Sequence, residues 1–245
     1  MVYAIVVRAL NTLRHLIDGA LHILLPSHCL GCGKVLWKDE RQICLHCTHQ
    51  MGQTYYEQVP ANNPLYHRLS GVLPLNIAYA LYVYEGPVKN IIHELKYGGR
   101  PMAAEYWGKQ LGRKLQQIWD PAQYPDVVIP VPLHPKKQLQ RGYNQSFHLA
   151  RGVGTILDRP VKQWVRRRRY TSSQTQMDVQ QRWENMQNAF ECVHSFRHSV
   201  DNLHLLVIDD VITTGATITA CALALHKAIP SIRLSIASLA TPVEA

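Results

Sequence analysis

The sequence predicts an α/β protein: a parallel sheet with helices on both faces, preceded by a small N-terminal domain built on four cysteines. Apolar β-rich runs alternate with helical patterns through most of the chain, and that alternation favours a parallel sheet covered on both sides. The run LLVI at 205–208 is continuous rather than alternating, as a strand buried on both faces requires. Ahead of these elements stands a cysteine pattern, C-x2-C-x11-C-x2-C. In order, residues 76–84 read as a strand, 87–95 and 103–119 as helices, 126–131 as a strand and 144–157 as a helix. Residues 203–208 then read as a strand, 218–229 as a helix and 232–237 as a strand. The polar stretch EQVPANNP at 57–64 marks a linker or domain edge, so the expected domains are residues 1–60 and 61–245. Ligands of such sheets bind at the carboxyl ends of the strands, where Pro130, Asp209 and the loops after them should lie.

The N-terminal apolar run at 2–7 is broken by Arg8 and is followed by no small-residue cleavage site. It is too short for a signal-peptide core or a membrane span. Leu10, Leu13, Leu16, Ile17, Ala20, Leu21 and Leu24 recur at helical spacing instead. They predict an amphipathic helix, packed on the protein or docked peripherally on the inner membrane. The expected compartment is the cytoplasm, where thiols stay reduced.

Four cysteines, Cys29, Cys32, Cys44 and Cys47, form two C-x2-C knuckles. Four converging thiolates suit a closed, tetrahedral structural zinc site, with an iron–sulfur cluster or a redox pair as the alternatives. Gly33 follows the first pair, where a turn can aim amides at the sulfurs; Thr48 stands in the matching place of the second. His28 and His46 lie beside the knuckles, as substitute ligands or solvated neighbours. Cys192 and Cys221 are isolated and read as small packed side chains.

The run at 205–208 ends in two carboxylates, Asp209 and Asp210, followed by VITTGAT at 211–217 and then a helical pattern. Gly215 permits a tight turn. The amides around it, with the hydroxyls of Thr213, Thr214 and Thr217, can surround a phosphate at a helix N-terminus. Adjacent carboxylates at a strand end can bind a vicinal diol or the water shell of a divalent cation. The acidic strand of a P-loop ATPase looks similar, but the G-x4-G-K-S/T loop that it needs is nowhere in this chain.

The net charge is +9. Residues 136–182 hold eleven Lys and Arg against two Asp, which accounts for all of it. Arg166, Arg167, Arg168 and Arg169 are its densest part, with Tyr143, Phe147, Trp164, Tyr170 and Trp183 interleaved. A basic segment with aromatics can hold a polyanion and stack bases; solvated arginines and core aromatics are the plain alternative.

The run IDDVITTGAT at 208–217 resembles the ribose-5-phosphate loop of the type I phosphoribosyltransferases. With CLGCG at 29–33, ELKYGGR at 94–100, VIPVPLH at 128–134, RGYNQ at 141–145 and the spread from 169 to 190, the chain resembles the bacterial ComF and GntX family. Ala216 departs from it, where many such loops carry a second glycine, and so does Thr48. The resemblance implies a type I phosphoribosyltransferase-like domain. Asp209 and Asp210 would hold the ribose hydroxyls, and the backbone of Thr213, Thr214, Gly215, Ala216 and Thr217 the 5-phosphate. The loop with Leu133 and His134 would hold the diphosphate of phosphoribosyl diphosphate, bridged by Mg2+. Arg141 and Lys96 are the candidate charged contacts there, with Arg100 beside them, although solvated side chains would read the same way. The segment beginning at Arg166 would form a hood over this site. Two functions then stand open. One is a binding protein that handles single-stranded DNA during natural transformation, alongside DNA-uptake or DNA-processing proteins. The other is an active phosphoribosyltransferase in nucleotide or base salvage, for which no residue stands out as general base.

Overall fold

The computed structural model describes residues 26–168, 189–193 and 202–243. The expected N-terminal helix, Arg169 and most of the expected hood lie outside them. Within them, β1 (Leu75–Val83), β2 (Val127–Pro130), β5 (His204–Val211) and β6 (Arg233–Thr241) form a four-stranded sheet in the order β1-β6-β5-β2. All three pairings are parallel, as predicted. A hairpin of β3 (Val165–Arg167) and β4 (Phe190–Cys192) pairs antiparallel beside it.

Helices cover both faces. On one, α3 (Gly86–Tyr97), α4 (Pro101–Leu115) and α6 (Gln145–Leu157) pack Ile91, Leu95, Leu111, Leu149 and Val153 on Tyr79, Val128, Leu206 and Ile208. On the other, α2 (Pro64–Ser70) and α7 (Ala216–Ala228) pack Leu65, Leu69, Ile218 and Leu225 on Ala78, Ile129, Leu205 and Val207. Each such aliphatic side chain stabilises by about 1.5–3 kcal/mol when fully buried, so two filled faces make the sheet a rigid base for its loops. α4 and α6 approach closely through two glycines. A Cβ at Gly108 would lie 2.1 Å from the Leu149 carbonyl, and one at Gly152 would lie 2.2 Å from that of Glu105. This contact fixes the N-terminus of α6, which carries part of the site.

The structure differs from the sequence reading at one place that matters. β5 runs on to Val211, because Asp209 pairs with Ser238 and Val211 with Ala240. The two aspartates are therefore strand residues rather than the start of a loop. The polar stretch at 57–64 packs against the sheet, with the Ala78 amide donating to Pro60 O at 3.1 Å. Asn63 is buried, accepts from the Tyr66 amide at 2.9 Å as the cap of α2, and donates to the Ala78 carbonyl at 2.9 Å. Its Asn-Pro pair was a legible helix start.

Both sheet edges are covered. Residues 52–54 lie along β1, with the Val83 amide donating to Gly52 O at 2.8 Å and the Thr54 amide donating to Leu81 O at 3.3 Å. Along β2, Val128 exchanges backbone bonds of 3.0 Å with Pro160 and Lys162. No helix among the described residues is long and apolar enough to cross a membrane.

Candidate functional site

The cysteine cluster is assembled by an antiparallel bridge between His28 and Val35 and by the short helix α1 (Leu45–Gln50), with Cys44 at its cap. The sulfurs of Cys29, Cys32, Cys44 and Cys47 all lie within 4.8 Å of one another, and Cys32 Sγ is 3.7 Å from Cys44 Sγ. Zn–S bonds of about 2.3 Å in a tetrahedron place sulfurs roughly 3.8 Å apart, so the donor set can hold a metal such as zinc. The amides of Gly31 and Cys44 each donate to Cys29 Sγ at 3.3 Å. Gly33 does not: its amide goes to the Cys29 carbonyl at 2.8 Å. Burial opposes ionisation of Cys29, but backbone amides of Cys44, Cys32 and Gly31 outweigh it and hold the thiol at about 7. Cys47 is pushed up by burial and by the neighbouring thiols, a penalty that a bound cation would remove. His28 and His46 are exposed. Cys221 is buried and Cys192 half-buried. The cluster sits directly on α3, where Asn90 Nδ2 donates to Gly31 O at 2.7 Å.

At the carboxyl end of β5, strand alternation sends Asp209 and Asp210 to opposite faces. Asp209 accepts from Ser146 Oγ at 2.7 Å and from the Asp210 amide at 2.9 Å. Asp210 accepts from the Val211 amide at 2.8 Å and faces Lys96 Nζ at 3.2 Å. Both carboxylates are buried. Burial and the Asp210 charge push Asp209 up to about 7, against the Ser146 and amide hydrogen bonds and Lys96.

The loop that follows is shaped by Gly215, whose φ of +81° caps α7. A Cβ there would lie 2.3 Å from Leu69 Cδ2. Left-handed backbone and a packed neighbour together require glycine. Thr213, Thr214, Gly215, Ala216 and Thr217 line a concavity of about 50 Å³ with Asp209, which has room for one compact anion. Arg68 donates to the Thr213 carbonyl and steadies the loop from α2.

The neighbouring strand β2 leads into the second loop. Asn144 ties that loop to α6: its Nδ2 donates to Val131 O at 3.1 Å, and its Oδ1 accepts from the Ser146 amide at 3.0 Å. Ser146 in turn holds Asp209, so the two loops share one brace. His134 caps the short helix α5 (Pro135–Arg141) and accepts from the Lys136 amide at 3.2 Å. Desolvation and the charges of Arg167, Lys136 and Lys137 hold the His134 pKa below its ordinary value. Desolvation, then Arg167 and Arg141, likewise lower Lys137, with Lys96 contributing. These cations feel one another, and Lys96, which faces Asp210 at 3.2 Å, links them to the strand end.

Of the residues singled out from the sequence, Lys96 and Arg141 therefore join the strand-end site. Arg141 reaches Gln145 Oε1 at 3.1 Å and stacks over Tyr97, its Cζ 5.0 Å from the ring centre. Leu133 is half-buried and offers only backbone polar atoms. Arg100 turns away to Glu94, with its Nε 3.6 Å from the carboxylate, beside the cysteine cluster. Arg166 and Arg168 both approach Glu191 across the hairpin, while Arg167 stacks over Phe190 at 5.3 Å. Among the interleaved aromatics, Tyr143 is half-buried and donates to Leu95 O, and Phe147 and Trp164 are half-buried. Tyr170 and Trp183 lie outside the described residues. Sequence reasoning missed Ser146, Tyr97 and Lys137. Lys137 was within reach, since it stands four residues before Arg141 on one helix face.

No protein-family profile matches the chain. It is 29% identical over 217 residues to Competence protein F of Haemophilus influenzae, covering 85% of this chain and 88% of that one. It is 24% identical over 205 residues to Competence protein ComFC of Bacillus subtilis, covering 81% and 78%. With DNA utilization protein YhgH of Salmonella typhimurium it shares 31% over 148 residues, covering 57% of this chain and 61% of that protein. Among solved structures, glutamine phosphoribosylpyrophosphate amidotransferase of B. subtilis aligns at 21% identity and a TM-score of 0.38, over 59% of this chain and 30% of the other. A hypoxanthine phosphoribosyltransferase of Staphylococcus aureus aligns at 14% and 0.32, over 56% and 62%. The sequence matches, the order of the motifs, the parallel sheet and the four-cysteine cluster converge on one likeness: the chain is similar to the competence proteins of the ComF family.

Proposed function

We propose that this chain is a competence protein that binds phosphoribosyl diphosphate and handles single-stranded DNA during natural transformation. One observation carries the reading: two buried carboxylates, one of them against Lys96, lead directly into an anion-sized loop. Asp209 and Asp210 would accept from the ribose hydroxyls, with the ligand taking over the position of Lys96. The amides of residues 213–217 would hold the 5-phosphate. Lys137, Arg141 and the His134 loop would meet the diphosphate, which carries its own Mg2+. The four cysteines would hold a structural zinc that braces α3, and the protein would work in the cytoplasm. The names of the relatives support the competence role.

The test is direct. Phosphoribosyl diphosphate with Mg2+ is titrated calorimetrically into wild type and into Asp209→Asn plus Asp210→Asn. Binding by wild type and none by the double variant is expected; equal binding by both sinks the ribose assignment. Single-stranded oligonucleotide affinity is expected to fall steeply with salt and after Arg167→Ala plus Arg168→Ala. Metal analysis should return one zinc per chain, lost together with thermal stability in Cys47→Ser.

The cationic group also favours a second reading, an active phosphoribosyltransferase. Cleavage at C1 would leave negative charge on the departing diphosphate, which those cations would stabilise. Diphosphate release that depends on one base from a panel would establish it.

A further inference from the structure

A ring of contacts leads from the two carboxylates to an exposed aromatic surface. Asp209 is held by Ser146, and the adjacent Gln145 accepts from Arg141. Arg141 Nη2 lies 3.4 Å from the Tyr97 hydroxyl, and its guanidinium lies over the Tyr97 ring. Tyr97 is followed back along α3 by Lys96, whose Nζ closes the ring on Asp210. Tyr97 is 63% exposed even with Arg141 above it and His93 at 4.9 Å. A large aromatic left open at the mouth of a polar, cationic site stands out. Packing does not require it there, since Leu95 on the same helix supplies the buried contact.

We infer that Tyr97 and Arg141 form a stacking shelf for a nucleobase borne by a ribose phosphate seated at Asp209 and Asp210. The inference deepens the proposed ribose phosphate reading and rests on it. A tyrosine ring and a guanidinium plane both stack on any base without reading its edge, so the shelf takes purines and pyrimidines alike. Arg141 over the ring and Lys96 beside it place two cations at the shelf, which suits a base attached to phosphate. The base can belong to a free nucleotide or to a nucleotide within a strand; the chemistry of the shelf is the same.

The experiment compares ligands with and without a base. Ribose 5-phosphate, AMP and a short single-stranded oligonucleotide are titrated into wild type, Tyr97→Ala and Tyr97→Phe. Wild type should bind AMP more tightly than ribose 5-phosphate. Tyr97→Ala should remove about 5- to 150-fold of affinity for the base-bearing ligand while changing ribose 5-phosphate affinity less than about twofold. Tyr97→Phe should restore most of that loss, since the ring remains. Loss for AMP points to free nucleotides, and loss for the oligonucleotide alone points to a strand; either supports the shelf. Tyr97→Ala with unchanged affinity for both base-bearing ligands overturns it, and so does equal wild-type affinity for AMP and ribose 5-phosphate together with an unaltered oligonucleotide titration. Failure of ribose 5-phosphate and phosphoribosyl diphosphate to bind wild type overturns the parent reading, and the shelf with it.

Discussion

The carboxyl ends of β5 and β2 are neighbours in the sheet, yet they are made of different material. The β5 end is buried and rigid: two carboxylates with their own hydrogen bonds, a glycine whose conformation no other residue adopts cheaply, and a loop fixed from behind by Leu69 and Arg68. The β2 end is half-exposed. It carries long cationic side chains on a helix of seven residues, and it is tied to its neighbour by the Val131 amide on Ile208 O at 2.9 Å and by the Asn144–Ser146 brace. Backbone amides supply fixed geometry but no net charge, whereas lysine and arginine supply charge with little geometry. The proposed ligand, with a compact 5-phosphate at one end and a flexible diphosphate at the other, would use both.

The difference can be broken most severely at Gly215. Gly215→Ala forces a Cβ into left-handed backbone and against Leu69, and is expected to cost about 2–4 kcal/mol in urea unfolding, with ribose 5-phosphate binding lost. A cost under about 0.5 kcal/mol would show that the loop is looser than it looks. Asp209→Asn should leave the fold intact and weaken ribose 5-phosphate about 10- to 100-fold, the worth of one or two hydrogen bonds to a charged acceptor.

The same carboxylate gives a pH signature. Its folded pKa is raised from 3.8 to about 7, so Asp209 favours the folded state most at low pH, and that contribution is lost as pH rises through 7. Stability is expected to fall between about pH 4 and 7 in wild type, with this part of the fall absent in Asp209→Asn. Ribose 5-phosphate affinity should rise severalfold from pH 6 to 8, more steeply than in the variant; parallel profiles would remove Asp209 as the titrating group. At the β2 end, Lys137→Ala should reduce phosphoribosyl diphosphate affinity about 5- to 10-fold, spare ribose 5-phosphate, and change stability by less than about 0.5 kcal/mol. The smallest effect belongs to Arg166→Ala. Because Arg166 and Arg168 share Glu191, removing one should lower the salt slope of oligonucleotide binding by less than one unit. A full unit would mean that Glu191 lets go when the strand arrives.

The two ends also differ in how far the sequence revealed them. The β5 end was legible because its chemistry is local: the strand, both aspartates, the threonines and the glycine are consecutive. The cysteine knuckles were legible for the same reason. Ser146 was not, because its role depends on a contact across 63 positions that no local pattern encodes. Tyr97 was visible as a letter in ELKYGGR, but only the fold shows that it is exposed beside Arg141, 44 residues away. The sharing of Glu191 by two arginines was hidden in the same way, since a run of like charges shows nothing of the acid brought opposite it by hairpin pairing. The order of strands in the sheet likewise follows from crossovers rather than from periodicity.

The strap at residues 52–54 has a consequence for how this protein can be taken apart. It fills the hydrogen-bonding positions of Val83, Leu81 and Ala80 along the outer side of β1. Cutting away the cysteine-bearing segment with its strap would leave a nine-residue strand with open donors and acceptors facing water. Such a margin recruits other strands, so the separated sheet-bearing part is expected to aggregate edge to edge rather than persist as a monomer. Whatever else the cysteine segment does, its strap would then also keep one copy of this sheet from growing into the next.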